Sequence, residues 1–268
     1  MSLWVAILIV LGAAAAAFIA VVLVRRIAVL SNPTRGTPMA IVVGTSFAVL
    51  LAFLILAAFQ TYTGAKSGAA SEATAVLDMS RTAALFPPSQ RDRLRSNLAC
   101  YGRAVVNEEW PAMRQGDSSA VVDYWISRYR STLGRLTVHS LTSQAALEDL
   151  LTLAQTRTTG RQQRLSDDTP AVPTPLWAAL IFVGCVAVSL QLGMADRGER
   201  LRIQGLQVAA VAAVVTTGLL IVNFLDHPYG TNVGGIQPAS MRHSLVLMHN
   251  LAPGLRPHCT QSGRPVSR

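Results

Sequence analysis

The side chains best suited to binding a metal lie in the carboxyl-terminal tail: His243, His249, His258 and Cys259. Imidazole and thiolate groups are common zinc ligands, but this spacing matches no standard zinc site. The chain also lacks a glycine-rich phosphate loop, a paired-histidine zinc motif and a Gly-x-Ser-x-Gly nucleophile motif. We therefore predict no catalytic residues, no metal site and no cofactor.

Charged and aromatic residues form four further groups, and each has an ordinary structural explanation. The groups are Glu72, Glu108 to Met113, Arg161 with Arg164, and Asp226 to Gly230. A carboxylate such as Glu72 stabilises the start of a helix by complementing its dipole. Taken singly, the groups are expected to act as helix caps, interfacial anchors and a turn.

One apolar segment carries a stripe of residues suited to lining a pore. Gly44, Phe47, Leu51 and Ile55 share one face of a helix. A pore with an apolar constriction gates by dewetting and needs no charged lining. The alternative is that this face packs against neighbouring helices or lipid.

Four segments of the chain contain no Asp, Glu, Lys, Arg or His: 4–24, 39–59, 174–194 and 205–225. The pore-lining candidates lie in the second of them. Each has 21 residues, and a helix needs about 20 to cross the hydrocarbon layer of a bilayer. We predict an all-α, multi-pass cell-membrane protein with four transmembrane helices in the lipid bilayer. An extramembrane helical region, 60–173, follows the second helix, and a polar tail with one short helix, 226–268, follows the fourth.

The absence of charge inside these segments argues against an ion-coupled transporter, which usually keeps an ionisable residue near the membrane centre. The net charge is +9, but the basic residues, nearly all arginine, are scattered. A nucleic-acid surface clusters its basic residues. We therefore predict no nucleic-acid partner.

The extramembrane region shows helical periodicity and no strand pattern. We predict four helices there, which either pack as a small bundle or extend the membrane helices out of the bilayer: Ser71–Phe86, Ser89–Met113, Asp117–Leu136 and Ser143–Gln163. Prolines end the first of them, and a proline-rich stretch leads into the third membrane segment.

Membrane orientation and cysteine pairing are linked. The two short loops hold Arg25, Arg26, Arg35, Arg197, Arg200 and Arg202. By the positive-inside rule these loops are cytoplasmic. Cys100 and Cys259 then share the opposite side and can pair if that side is oxidising. Whether they do so is left open, and Cys185, inside a membrane segment, is expected to be packing.

The order of these features resembles the bestrophin-like family of unknown function. Two spans precede the motif residues of the central region, and two more precede those of the tail. The residues that carry the resemblance are Tyr62, Glu72, Tyr101, Glu109, Trp110, Met113, Arg161, Arg164, Asp226, Pro228 and Gly230. The resemblance covers nearly the whole chain, and its most specific elements are Glu-Trp and Asp-x-Pro-aromatic-Gly.

The resemblance implies a distant relation to bestrophins, pentameric ion channels with four spans per subunit, mostly anion-selective, with an apolar neck on the second span. It implies a passive, homo-oligomeric, anion-conducting ion channel, with a small inorganic ion as its partner. Carried over by position, Phe47, Leu51 and Ile55 form the neck. The calcium-binding acidic cluster has no counterpart here.

Two questions remain open at this level. Bestrophins keep their termini and central helices in the cytoplasm, which is opposite to the orientation that the arginines indicate. The alternative function is a membrane scaffold or accessory protein whose amphipathic region, 89–136, binds a partner.

Overall fold

The fold is described from a computed structural model, which covers residues 3–27, 36–166, 172–194, 200–229 and 234–266. The predicted all-α class is confirmed, because the described residues contain no strand, only one isolated bridge between Cys259 and Pro265. The helices are α1 Leu3–Ile27, α2 Gly36–Thr82, α3 Pro88–Ala104, α4 Trp110–Met113, α5 Ala120–Leu133, α6 Leu141–Ser166, α7 Thr174–Gly193, α8 Leu201–Leu225 and α9 Ala239–Leu251.

Four of the described helices are long and apolar enough to cross a membrane: Leu3–Arg26, Pro38–Leu85, Thr174–Gly193 and Leu201–Leu225. Three of them contain a whole charge-free segment, and the third helix, Thr174–Gly193, ends one residue before its segment does. Most large apolar side chains on their outer surfaces are exposed in the single chain, among them Trp4, Phe53 and Phe182. Such surfaces need lipid or another subunit to cover them.

The second of these helices is longer than its apolar segment. The helix predicted over Ser71–Phe86 is not separate, because α2 continues unbroken to Thr82; of the two arrangements left open, extension of a membrane helix applies here. The chain has no proline between Pro38 and Pro87, and the alanine-rich sequence in between favours helix. A short 3₁₀ turn at Ala83–Leu85 ends it.

The chain divides into two compact units. Unit 1 comprises Met1–Tyr62, Pro170–His227 and Thr231–Gly235. Its interior is apolar: Ala17 and Val21 of α1 pack against Val208 and Ala212 of α8. A second cluster joins α2, α7 and α8.

Unit 2 comprises Thr63–Thr169, Pro228–Gly230 and Ile236–Arg268. Here α3 packs against α5 and α9. A disulfide joins Cys100 of α3 to Cys259 of the tail, which answers the pairing question left open above. The same tail turn is held by Trp125, whose indole N–H donates to the carbonyl of Gly263 at 2.6 Å.

Candidate functional site

Arg164 of α6 is fully buried at the centre of a polar cluster in unit 2. Its Nε donates to Glu72 Oε2 at 2.7 Å, and its Nη2 donates to Glu72 Oε1 at 3.1 Å and to Glu109 Oε2 at 2.5 Å. Nη1 contacts Met113 Sδ at 2.7 Å. The guanidinium carbon lies 5.0 Å from the ring centroid of Trp110, a cation–π contact. One arginine thus joins α2, α4 and α6.

Arg161, one turn earlier on α6, extends this cluster toward the surface. Its Nε donates to Glu109 at 3.0 Å, its Nη2 forms a further bond to the same carboxylate, and its Nη1 pairs with Asp123 of α5 at 2.8 Å. The hydroxyl of Tyr101 donates to Glu72 at 2.5 Å. Both buried carboxylates are therefore fully engaged by donors.

The electrostatics of the cluster keep its ion pairs charged. Burial alone would raise the pKa of Glu109, but Arg164 and Arg161 outweigh it, so that this pKa is lowered. Burial lowers the pKa of Arg164, but Glu72 and Glu109 outweigh burial and raise it overall. Burial, with the charge of Glu72, raises the pKa of Tyr101 well above its usual value. The tyrosine therefore stays a neutral donor.

Two glycines let the helices that carry these charges approach closely. Gly68 lies one turn before Glu72 on α2, and Gly160 lies one turn before Arg164 on α6. A Cβ on Gly160 would lie 2.8 Å from both the amide nitrogen of Glu72 and the carbonyl oxygen of Gly68. The backbones cross at these glycines, which brings the carboxylate of α2 within reach of the guanidinium of α6.

A π-helical turn at Val105–Glu109 sets the position of Glu109. It follows α3 and leads directly into α4. Such turns insert one extra residue into a helix and are frequent at functional sites. Here the turn aims Glu109 into the buried cluster, while its neighbour Glu108 bonds to Arg264.

Aromatic and backbone groups close the cluster on one side. The indole N–H of Trp110 donates to the carbonyl of Ile236 at 3.2 Å, and its ring meets Tyr229 edge-on at 5.6 Å. The hydroxyl of Tyr229 donates to the carbonyl of Arg164 at 3.1 Å. Pro228 accepts a bond from the amide of Ile236. Gly230, also among the predicted motif residues, lies outside the described residues.

Seven of the predicted motif residues therefore meet in one cluster: Glu72, Tyr101, Glu109, Trp110, Met113, Arg161 and Arg164. Two others lie in unit 1. Asp226 accepts from the amide of Val172 at 2.9 Å and from the indole of Trp177 at 3.1 Å. Tyr62 donates to the carbonyl of Gly234 at 2.8 Å. Asp226 therefore links the end of α8 to the start of α7. Tyr62 links α2 to the segment that follows α8.

The predicted neck face of α2 packs within its own chain. Phe47 is buried, and with Leu51 and Ile55 it belongs to the apolar cluster of α2, α7 and α8. A Cβ on Gly184 of α7 would lie 3.3 Å from the Phe47 ring. Gly44 lies on the exposed surface of α2 with nothing within 4 Å of its Cβ position. This packing favours the alternative stated above, a helix–helix contact, for Phe47 and Leu51.

Some residues of the cluster were missed in the sequence. Asp123 and Arg157 were not singled out, although Arg157, Arg161 and Arg164 recur at helical spacing on one face of α6. That spacing could have identified Arg157 as a member of the cluster from the sequence. Within the described part of the chain, no group of three His, Cys, Asp or Glu residues is placed to hold a metal.

The charged groups of this cluster bond to one another, which gives the cluster a structural role. Its carboxylates are neutralised and bonded, and they lie away from water, so that no group is free to act as a nucleophile or base. Removing one partner of such a buried pair leaves a costly uncompensated charge. The cluster therefore stabilises one arrangement of α2, α4 and α6.

Comparison with known proteins bears on this architecture. A protein-family model described as Bestrophin-like domain matches residues 6–240. No curated protein matches the chain. Among solved structures, a substituted bacterial bestrophin homologue from Klebsiella pneumoniae is similar with a TM-score of 0.67 and 13% identity, covering 92% of this chain and 97% of that one. Another structure, described as a membrane protein, gives a TM-score of 0.65 at 14% identity, covering 97% and 98% of the two chains. At these identities the likeness shows the fold.

Proposed function

This chain belongs to the bestrophin-like family, and we propose that it is one subunit of a homo-oligomeric ion channel in a cell membrane, that of a bacterium. The observation that carries the proposal is the bestrophin-like fold over nearly the whole chain, with four helices apolar enough to span a bilayer. Passive conduction is consistent with the uncharged interior of those helices. The conducted species is a small inorganic ion, with anions preferred.

We place the neck on the exposed face of α2 rather than on the face that packs against α7 and α8. Val49, Phe53 and Leu56 follow one another at three- and four-residue spacing and are exposed by 51%, 69% and 53%. Ser46 lies one turn before this stripe and is also exposed. Bulky apolar side chains facing a central axis would form the constriction that gates by dewetting.

The experiment is ion flux through the purified protein in liposomes. We expect a chloride-dependent flux, and replacing Phe53 by Ala is expected to raise it because a smaller side chain widens the constriction. Phe182→Ala on α7 is the matched control, since Phe182 is exposed to a similar degree, 68%, and is expected to leave the flux unchanged. No flux under voltage or ligand screens would contradict the channel. Equal effects of the two substitutions would contradict this neck.

The scaffold alternative loses its main support in the structure. It rested on the absence of charge inside the membrane segments and on an amphipathic region, 89–136, that was expected to bind a partner. The apolar faces of that region are already buried inside unit 2, through residues such as Leu94, Leu98, Val122 and Tyr129. We therefore retain the channel as the proposed function.

The proposed orientation puts the short loops in the cytoplasm. Their arginines favour this side by the positive-inside rule. The disulfide between Cys100 and Cys259 supports the same orientation, because disulfides persist in oxidising compartments and are rare in the cytosol. The proposed topology is opposite to that of bestrophins, in which the central helices are cytoplasmic.

A further inference from the structure

Arg157 of α6 is buried, 2% exposed, without a carboxylate partner in the part of the chain that the structure describes. Its Nη2 donates to Thr158 Oγ1 at 3.2 Å, and its guanidinium carbon lies 5.1 Å from the ring centroid of Tyr101. Its Nε is buried and has no hydrogen-bond partner. Arginine is almost never fully buried unless it is paired, because an isolated charge away from water is costly.

A second unsatisfied donor belongs to Tyr129 of α5. This side chain is also 2% exposed, and its hydroxyl is buried without a hydrogen-bond partner. Burial raises the pKa of Tyr129, and the charge of Arg157 opposes that rise. Ser127 and Arg130, which flank Tyr129 on α5, line one cavity together with Thr158, which bonds to Arg157 on α6, so the two donors belong to facing stretches of these helices. Both groups are donors, so one acceptor is missing at this place.

The neighbouring ion pairs do not supply that acceptor. The buried carboxylates are Glu72 and Glu109, and both bond to Arg164. Arg161 also donates to Glu109, and it pairs with Asp123, whose side chain is 57% exposed. Three guanidiniums thus share two buried carboxylates, and Arg157 is the one left without direct contact to either.

We propose that a small monovalent inorganic anion of the halide class binds between Arg157 and Tyr129. It would accept hydrogen bonds from Arg157 Nε and the Tyr129 hydroxyl. A water molecule could also accept these bonds, but only an anion compensates the buried charge. A cavity of about 240 Å³ between α5 and α6 is lined by Thr158, the threonine bonded to Arg157, together with Ser127 and Arg130.

This anion stabilises the fold of unit 2 and is not the conducted ion, so the inference does not depend on channel activity. The test is thermal unfolding of the purified full-length protein in potassium chloride and in potassium gluconate at equal ionic strength. Ligand binding to the folded state raises the Tm with the logarithm of ligand concentration. Above the dissociation constant, we expect the Tm to rise by about 3–6 °C per tenfold increase in chloride. Identical Tm values in both salts would overturn the proposal.

Substitutions test whether the chloride dependence of the Tm arises at this site. Tyr129→Phe removes one donor and is expected to shift the chloride dependence to about tenfold higher concentration. Arg157→Met is expected to abolish it, and if that variant does not fold, Tyr129→Phe decides. Arg128→Gln, next to Tyr129 on α5 but exposed, is the control and is expected to keep the dependence. Loss of the dependence in Arg128→Gln, or its persistence unchanged in Tyr129→Phe, would place the anion elsewhere and overturn the site.

Discussion

Arg164 holds together two carboxylates that would repel each other without it. Its planar guanidinium reaches Glu72 with two nitrogens and Glu109 with one of them, while its face lies on Trp110. A lysine ammonium is a point charge and cannot make this set of contacts. The shape of the side chain therefore matters as much as its charge.

We expect Arg164→Met to lower the free energy of unfolding by about 3–5 kcal/mol, because it leaves the buried carboxylate of Glu72 without an arginine and removes one of the two arginines that bond to Glu109. Arg164→Lys is expected to recover only part of this loss. Denaturant unfolding in detergent measures both. Adding Glu72→Gln to Arg164→Met is expected to recover stability, since one unpaired charge disappears. A change in Arg164→Met within about 0.5 kcal/mol, typical of an exposed position, would contradict the structural role of the cluster.

Acid unfolding follows from the lowered pKa of Glu109. A carboxyl whose pKa is lower in the folded state contributes stability above its unfolded pKa, about 4.3, and that stability is lost as the pH falls through the folded pKa. We expect the Tm to fall below about pH 4.3 and Glu109→Gln to remove part of this dependence. Glu108→Gln, the adjacent residue that bonds to Arg264 instead, is the control. Equal acid profiles for the two variants would refute the assignment.

At the scale of elements, the crossing of α2 and α6 depends on glycine. A Cβ on Gly160 would meet backbone atoms of α2 at 2.8 Å, and backbone cannot move aside as a flexible side chain can. We expect Gly160→Ala to cost about 1–3 kcal/mol of stability, as overpacking does. Gly134→Ala is the control, because its nearest atoms lie 3.8 Å away. Unfolding midpoints of the two variants that coincide would show that the crossing is not tight.

The sequence predicts the membrane helices well because each carries an uninterrupted apolar run. It predicts connections less well: α2 passes Ser71 without a break, since no proline interrupts it there. The π turn at Val105–Glu109 was not predicted. Periodicity also placed Phe47 and Leu51 on one face without revealing that the face meets α7 and α8.

The family resemblance singled out seven residues of the cluster, but the sequence did not predict that they meet. Glu72 and Arg164 are 92 positions apart, and no local pattern shows that they meet. Arg157 was overlooked because a lone arginine in a helix is usually solvated. Pairing of Cys100 with Cys259 could not be decided from sequence because it depends on the compartment as well as on proximity.

At the scale of the whole molecule, the two units have different interiors. Unit 1 is held by apolar packing and leaves large apolar surfaces exposed, whereas unit 2 buries ion pairs and contains a disulfide. Apolar outer surfaces suit a bilayer and contacts between subunits. A disulfide suits a region in an oxidising aqueous compartment. The apolar surfaces of unit 1 and the disulfide of unit 2 thus agree with the orientation proposed from the arginines.

That orientation predicts how the cysteines react in intact cells. With Cys185 replaced by Ala, a membrane-impermeant thiol reagent is expected to label Cys100 and Cys259 only after treatment with an impermeant reductant. Both compounds reach the residues without crossing the membrane if the disulfide faces outward. Because Cys100 is buried in the folded chain, the reductant is applied to intact cells and washed away, and the thiols are labelled after denaturation, so that only a disulfide opened from outside is scored. Labelling that requires permeabilised cells would instead place the disulfide region in the cytoplasm, as in bestrophins, and would leave the arginine-rich loops outside.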